Sequence, residues 1–246
     1  MKIKTSILSA LLGAFLFGCG TEPPVQGQKS SSAEIVTGWD EYGLNGKVKS
    51  LTITQSSAVE TSSGWEKAQN GVPTVIEVTF DTIGKTQEQI TRVKVDSENR
   101  VFKSSFSYRD DTLYEIYGIY DQDRSVNIVT QCAPFVKRER VFLLSDSGDT
   151  ISETSIKWSG KRIVFFTNKD DNYSMTDEFE YQNGRETICR RQEKSNDSDP
   201  FTTVINYTYL DEDELGNWTE RLNTIERKSP YPSTIYKLEE RIIEYY

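Results

Sequence analysis

Hydrophobic and polar positions alternate with a period of two along most of the chain beyond residue 38. In "VIEVTF" (75–80), Ile76, Val78 and Phe80 share a face. In "YSMTDEFEY" (173–181) the shared face holds Tyr173, Met175, Phe179 and Tyr181. In "FTTVINYTY" (201–209) it holds Phe201, Thr203, Ile205, Tyr207 and Tyr209. Period two marks a half-buried strand, and β-branched and aromatic residues fit a pleated surface. The same reading predicts strands over 47–55, 89–96, 100–108, 112–121, 125–132, 138–145, 150–158, 161–167, 185–193, 217–227 and 234–245. The closing "YKLEERIIEYY" could pass for a helix, but its β-branched and aromatic end and missing C-cap favour a strand. No segment beyond residue 38 shows an amphipathic helical stripe with caps.

The predicted strands are separated by "DSENR", "DSGD", "SGK", "QNGR" and "DELGN", which suit short hairpin connections. Four units repeat one weak pattern of strand, acidic or Asn/Gly turn, and return strand. They are "VKVDSENRVFKSSFSY", "FLLSDSGDTISETSIKW", "FEYQNGRETICRRQ" and "YLDEDELGNWTERLNT". The fold class that follows is all-β: an extended antiparallel meander of hairpin repeats, in a single twisted sheet or one partly closed.

The start of the chain is different. Lys2 and Lys4 precede an apolar run over residues 7–17, too short to span a bilayer, that ends in "LFGCG". Leu16, Gly18 and Cys19 resemble the lipobox of bacterial lipoproteins. That resemblance implies cleavage after Gly18 and lipidation of Cys19, with acyl chains holding the protein on a membrane. Residues 1–18 are then a signal peptide. Residues 19–37, rich in Pro, Gly, Ser and Gln, are the lipidated Cys and a flexible tether, with a reach of roughly 25 Å. Residues 38–246 form the all-β repeat domain. Gly20 follows Cys19, in place of the aspartate that retains lipoproteins in the inner membrane of enteric bacteria. The resemblance therefore implies an extracytoplasmic, lipid-anchored protein of the outer membrane, on its periplasmic or its surface face.

Composition narrows the partners. The net charge is −9, an acidic balance that repels phosphate backbones, so nucleic acid is not an expected partner. Besides Cys19 the chain holds Cys132 and Cys189. In an oxidising compartment a bond between them would close a long loop, worth roughly 4 kcal/mol in the chain-entropy model. Two separate buried thiols are the other reading.

Candidate chemistry is sparse. The chain has no histidine, which removes Ser-His-Asp and Cys-His catalysis and any His-ligated zinc centre. Nucleotide-binding Gly-rich motifs and G-x-S-x-G are also missing, and no cofactor is expected. "DEDELGNWTERL" resembles a calcium loop, with Asp211, Asp213 and Gly216 at the right offsets. Leu215 and Leu222 occupy two positions where ligands are required, so a hairpin turn with Gly216 at positive φ accounts for more of it. On this reading Asp211 and Asp213 are clustered surface charge of little weight in stability, and no metal site is expected. "DTI" at 81–83, "DTL" at 111–113 and "DTI" at 149–151 resemble the acceptor of O-glycosylation in Bacteroidota envelope proteins, which would place glycans on Thr82, Thr112 and Thr150. The 13 Tyr, 11 Phe and 4 Trp are read mainly as cross-strand packing.

"GLNGKVKSLT" (43–52), "DELGNWTER" (213–221) and "EERIIEYY" (239–246), with the Asp/Gly turns, resemble uncharacterised Bacteroidota lipoproteins with degenerate tyrosine–aspartate (RHS-like) hairpin repeats. The resemblance implies an all-β repeat sheet on a lipid anchor and carries no active site with it. The function expected is a non-enzymatic binding or scaffolding role in the cell envelope, with envelope proteins or glycans as partners. A glycan-binding surface lipoprotein is the alternative, and a hydrolase built on two carboxylates a distant third.

Overall fold

The computed structural model describes residues 37–246 apart from 96–97, 110–111, 121–123, 130–139, 145–149 and 230. Within them lie a one-turn helix, α1 (Gly38–Glu41), and fifteen strands. The first seven strands are β1 (Val48–Thr61), β2 (Gly64–Lys67), β3 (Thr74–Phe80), β4 (Thr86–Val95), β5 (Glu98–Arg109), β6 (Thr112–Tyr120) and β7 (Arg124–Val129). The remainder are β8 (Arg140–Leu144), β9 (Thr150–Ser159), β10 (Arg162–Asp170), β11 (Tyr173–Gln182), β12 (Arg185–Ser195), β13 (Ser198–Glu212), β14 (Trp218–Ser229) and β15 (Ser233–Tyr245). They form one antiparallel sheet in the order β7-β6-β5-β4-β3-β1-β15-β14-β13-β12-β11-β10-β9-β8, with β2 paired to β1 beside this path.

The expected meander is therefore present, with one long-range addition: the first strand pairs with the last. Leu51 faces Ile243 on β15 and Val78 on β3. The ladder is not closed into a barrel, since among the described residues it ends at β7 on one side and β8 on the other.

The sheet is nonetheless strongly curled. The Gly38 N–H donates to the Gly84 carbonyl in the β3–β4 turn at 2.8 Å, and Lys161 in the β9–β10 turn pairs with Asp40 at 3.0 Å. In the ladder β3 and β10 stand seven strand spacings apart, about 33 Å if the sheet were flat. One helical turn, about 6 Å long, bridges them only if the sheet bends round it. The helix has a capping box: the Asp40 N–H donates to Thr37 Oγ1 and the Thr37 N–H to the Asp40 carboxylate. A single turn is too short to show an amphipathic stripe, so the sequence pattern misses it. It sits so tightly that a Cβ on Gly38 would lie 2.4 Å from Thr86 Oγ1.

Curling separates an inner from an outer face. Inside, Leu44, Val48, Leu51, Val78 and Phe80 pack with Trp39, Tyr42 and Ile243 beside α1. Ile156, Phe166, Tyr173 and Met175 make a second cluster on β9–β11. These are the positions that period two assigns to a common face, because a slip of one residue would turn them all to water. Outside, ion pairs run across the strands: Arg92–Glu77 at 2.5 Å, Arg190–Glu180 at 2.7 Å, and Lys103–Glu88.

The β1–β2 arm is the main element absent from the pattern. β1 continues to Thr61, six residues past the predicted end, and returns through β2. Trp65 of the arm stacks on Tyr236 at 4.5 Å, and Lys67 pairs with Glu240 at 2.5 Å. Tyr236 and Glu240 flank Leu238 on the outer face of β15, so the arm lies over it. Leu238 and its partner Leu222 are buried accordingly.

Residues 213–217 form a hairpin turn between β13 and β14, with Gly216 at φ +76°. One expectation is corrected here. Asp213 is the organiser of this turn and not loose surface charge. Its Oδ1 accepts the N–H groups of Leu215 and Asn217, both at 2.9 Å, and its Oδ2 accepts from Tyr245. Burial is the largest single influence and opposes ionisation, but the bonds from Tyr245, Asn217 and Leu215 together outweigh it and hold its pKa below the usual carboxylate range. We expect Asp213→Ala to cost about 1–2 kcal/mol, as loss of a helix cap does. Gly216→Val should cost about 1 kcal/mol or more from strain at positive φ. Urea denaturation of both variants measures this, and midpoints equal to wild type would refute the assignment.

Candidate functional site

Because successive side chains alternate, charged residues that share parity with core positions are carried inside the sheet. On β15, Lys237, Glu239 and Arg241 alternate with outward residues and run in step with Ile235 and Ile243. On β14, Arg221 and Asn223 run in step with Ile225. The register sets Arg221 opposite both Glu239 and Tyr209, and Asn223 opposite Lys237 and Tyr207.

Arg221 is the hub. Its Nε donates to Glu239, and its Nη1 reaches Glu186 of β12 at 3.3 Å. Its guanidinium lies 4.4 Å from the Tyr207 ring centroid and 4.3 Å from that of Trp218. Arg241 lies against the same indole at 3.6 Å. Lys237 donates to Gln55 Oε1 at 2.8 Å, and Gln55 Nε2 donates to Glu239 at 2.9 Å, which ties β1 into the network.

The protonation states follow from these contacts. Burial disfavours the Arg221 cation, but Glu239 and Glu186 outweigh it and raise its pKa. Burial also works against the Glu239 carboxylate, yet Arg221 holds its pKa below the usual range. Burial drives the Tyr207 and Tyr209 hydroxyls upward, so both stay neutral. A second pair lies further along the inner face. Arg191 Nε and Nη2 grip the two oxygens of Asp177 at 2.8 and 2.7 Å.

At the end of the sheet that carries α1, Asn217 forms a latch. Its Oδ1 accepts the Asn45 N–H at 2.6 Å, and its Nδ2 donates to the Asn45 carbonyl at 3.0 Å and to Tyr245 at 2.6 Å. The segments 43–52, 213–221 and 239–246 are thus joined in space. They meet because the first and last strands are neighbours.

The residues singled out from sequence fare differently. Cys19 and Cys132 lie outside the described residues. Cys189 is a buried free thiol on the inner face of β12, between Phe179 and Ile205. Burial, followed by the nearby Asp177 charge, pushes that thiol well up. Thr82 is exposed in the β3–β4 turn, where Asp81 Oδ1 accepts the N–H groups of Ile83 and Lys85. Thr150 is exposed at the start of β9, and Thr112 opens β6 with its side chain outside the described set. The structure does not bring these threonines into one site. Sequence reasoning missed Arg221, Glu239 and Arg241; the signal was charge in phase with Ile225, Ile235 and Ile243.

No protein-family model matches the chain. No curated protein matches it either. Among solved structures it is similar to a porin-like protein from Bacteroides uniformis ATCC 8492, at 10% identity and a TM-score of 0.46. The match covers 80% of this chain and 96% of that one.

We expect Arg221→Met to cost about 3 kcal/mol, because it removes the guanidinium bonded to both Glu239 and Glu186 inside the sheet. Arg221→Met with Glu239→Leu should recover most of that loss, and a denaturant double-mutant cycle measures the coupling. Acid supplies a separate test. A carboxylate with a depressed folded pKa stabilises above its unfolded value of about 4.3 and loses that contribution as pH falls through the folded value. Wild type should therefore lose stability below about pH 4 more steeply than Glu239→Gln.

Proposed function

We propose that this is a lipid-anchored envelope protein with a non-enzymatic binding or scaffolding role. The observation that carries this reading is how the inner charges are used. Arg221 is held by Glu239 and Glu186, and Arg191 by Asp177. The shifts of Glu239, Tyr207 and Tyr209 lead away from neutrality, whereas an acid or base catalyst works best with a pKa near the operating pH. The network supports a role in fixing the walls of the sheet. The charged outer face suits water, since a strand facing lipid carries an apolar band.

The glycan-binding alternative calls for a flat, exposed row of aromatic rings. Trp65 and Tyr236 instead stack on each other at an angle of 38°. Tyr231, in the neighbouring β14–β15 turn, is 77% exposed. A glycan and peptidoglycan screen of the wild-type protein beside Tyr231→Ala separates the two readings. Saturable glycan binding lost in Tyr231→Ala would favour the alternative.

The anchor is tested on its own. Cys19→Ala should abolish membrane fractionation and labelling by a fatty-acid analogue while leaving the unfolding transition unchanged. Label that persists on Cys19→Ala would overturn the lipobox assignment.

A further inference from the structure

Among the described residues, the ion pairs inside the sheet do not take in the Arg241 guanidinium. Arg221 occupies Glu239 and Glu186, and Arg191 occupies Asp177. The Arg241 guanidinium lies 3.6 Å from the Trp218 ring centroid, and its buried Nε and Nη1 have no hydrogen-bond partner. The neighbours that could supply an acceptor do not. Ile53 faces it across the β1–β15 ladder, and Ile243 is the next inward residue of its own strand. The Tyr209 hydroxyl donates to the Glu186 carbonyl at 2.9 Å and accepts from Arg221.

Burial and the adjacent Arg221 push the Arg241 pKa down to about 9. That is still above neutral pH, so the group keeps its charge there, as guanidinium groups do. Glu239 and Glu186 are near enough to act on its charge, but they leave its Nε and Nη1 unbonded, and buried N–H groups without an acceptor are costly. The indole face offsets part of that, since cation–π contact strengthens with desolvation. It leaves the in-plane N–H groups of Arg241 unsatisfied.

We propose that Arg241, seated on Trp218 beside Arg221, is the binding site for a small oxyanion: a carboxylate or a phosphate group. The anion accepts the N–H groups at Nε and Nη1 of Arg241, which Glu239, bonded to Arg221 and Gln55, leaves unpaired. The neighbouring Arg221 adds attraction, and the tryptophan ring backs both guanidinium groups. Arginine donates in such a plane and matches both oxyanions.

The test uses the full chain in detergent, dialysed into a low-salt buffer. Acetate and inorganic phosphate are titrated separately against sodium chloride at matched ionic strength. Thermal unfolding and titration calorimetry are the readouts, on wild type, Arg241→Met and the exposed control Lys228→Met. Wild type and Lys228→Met should show saturable one-to-one binding. Their melting temperature should rise on the order of 5–10 °C at one hundred times the dissociation constant. Arg241→Met should show neither effect. It should also be at least as stable as wild type before anion is added, because it removes buried N–H donors that have no partner. Response to acetate alone identifies a carboxylate site, and response to phosphate alone a phosphate site. Should Arg241→Met fail to fold, Arg241→Lys takes its place, with weakened binding expected. The proposal is overturned by no saturable binding to wild type, or by equal shifts in wild type and the Arg241 variant.

Discussion

Pairing of β1 with β15 is the interaction on which the rest depends. Either run of hairpins, β3 to β7 or β8 to β14, is stabilised by local connections alone. Such a run would keep an unpaired edge, which sheet proteins must cover or blunt. The two ends of the chain fill the gap: β1 covers β3, and β15 covers β14. Side-chain bonds also run along that seam. Gln55 bridges Glu239 and Lys237, Ser50 donates to Glu244, and Tyr246 donates to the Phe80 carbonyl one strand further on.

A curled sheet of this width encloses more surface than aliphatic side chains fill. The apolar clusters hold two regions, beside α1 and on β9–β11, and polar residues line much of what lies between. Those polar groups carry a penalty when buried and are tolerated because most are matched in pairs set by the register. Matching makes them selective. Moving β14 by two residues against β15 would keep every side chain on its face, yet it would part Arg221 from Glu239. Hydrophobic contacts alone discriminate weakly against such a slip. The polar interior therefore defines which register is right, while the apolar clusters supply most of the driving force.

How legible this was depends on range. Alternation in "VIEVTF", "YSMTDEFEY" and "FTTVINYTY" identified faces that the structure keeps, because side-chain direction within a strand is a local property. The Gly216 turn was legible for the same reason. The role of Asp213 was not, since its partner Tyr245 is 32 residues away. The arm escaped because "SSAVETSSGWEK" is polar on both faces. Its burial of Leu238 becomes visible only once β15 is beside β1. Arg221, Glu239 and Arg241 were not singled out, and only the enclosed shape of the sheet makes them interior. The candidate site was thus hidden for one physical cause. Enclosure is a property of the whole sheet and has no local signature.

The seam between the first and last strands also sets an order of events. Contacts between β1 and β15 span nearly the whole folded chain, so their loop-closure entropy is the largest in the molecule. Hairpins such as β11–β12 and β13–β14 close short loops and can form while the chain is still emerging. The seam waits until Tyr245 is free. Until then β3 and β14 expose naked edges to any neighbour, which is the condition that favours strand exchange between copies. A protein built this way is safest when its last strand arrives promptly. Its kinetic vulnerability lies in the pairing of β15 with β1, well away from the short hairpins.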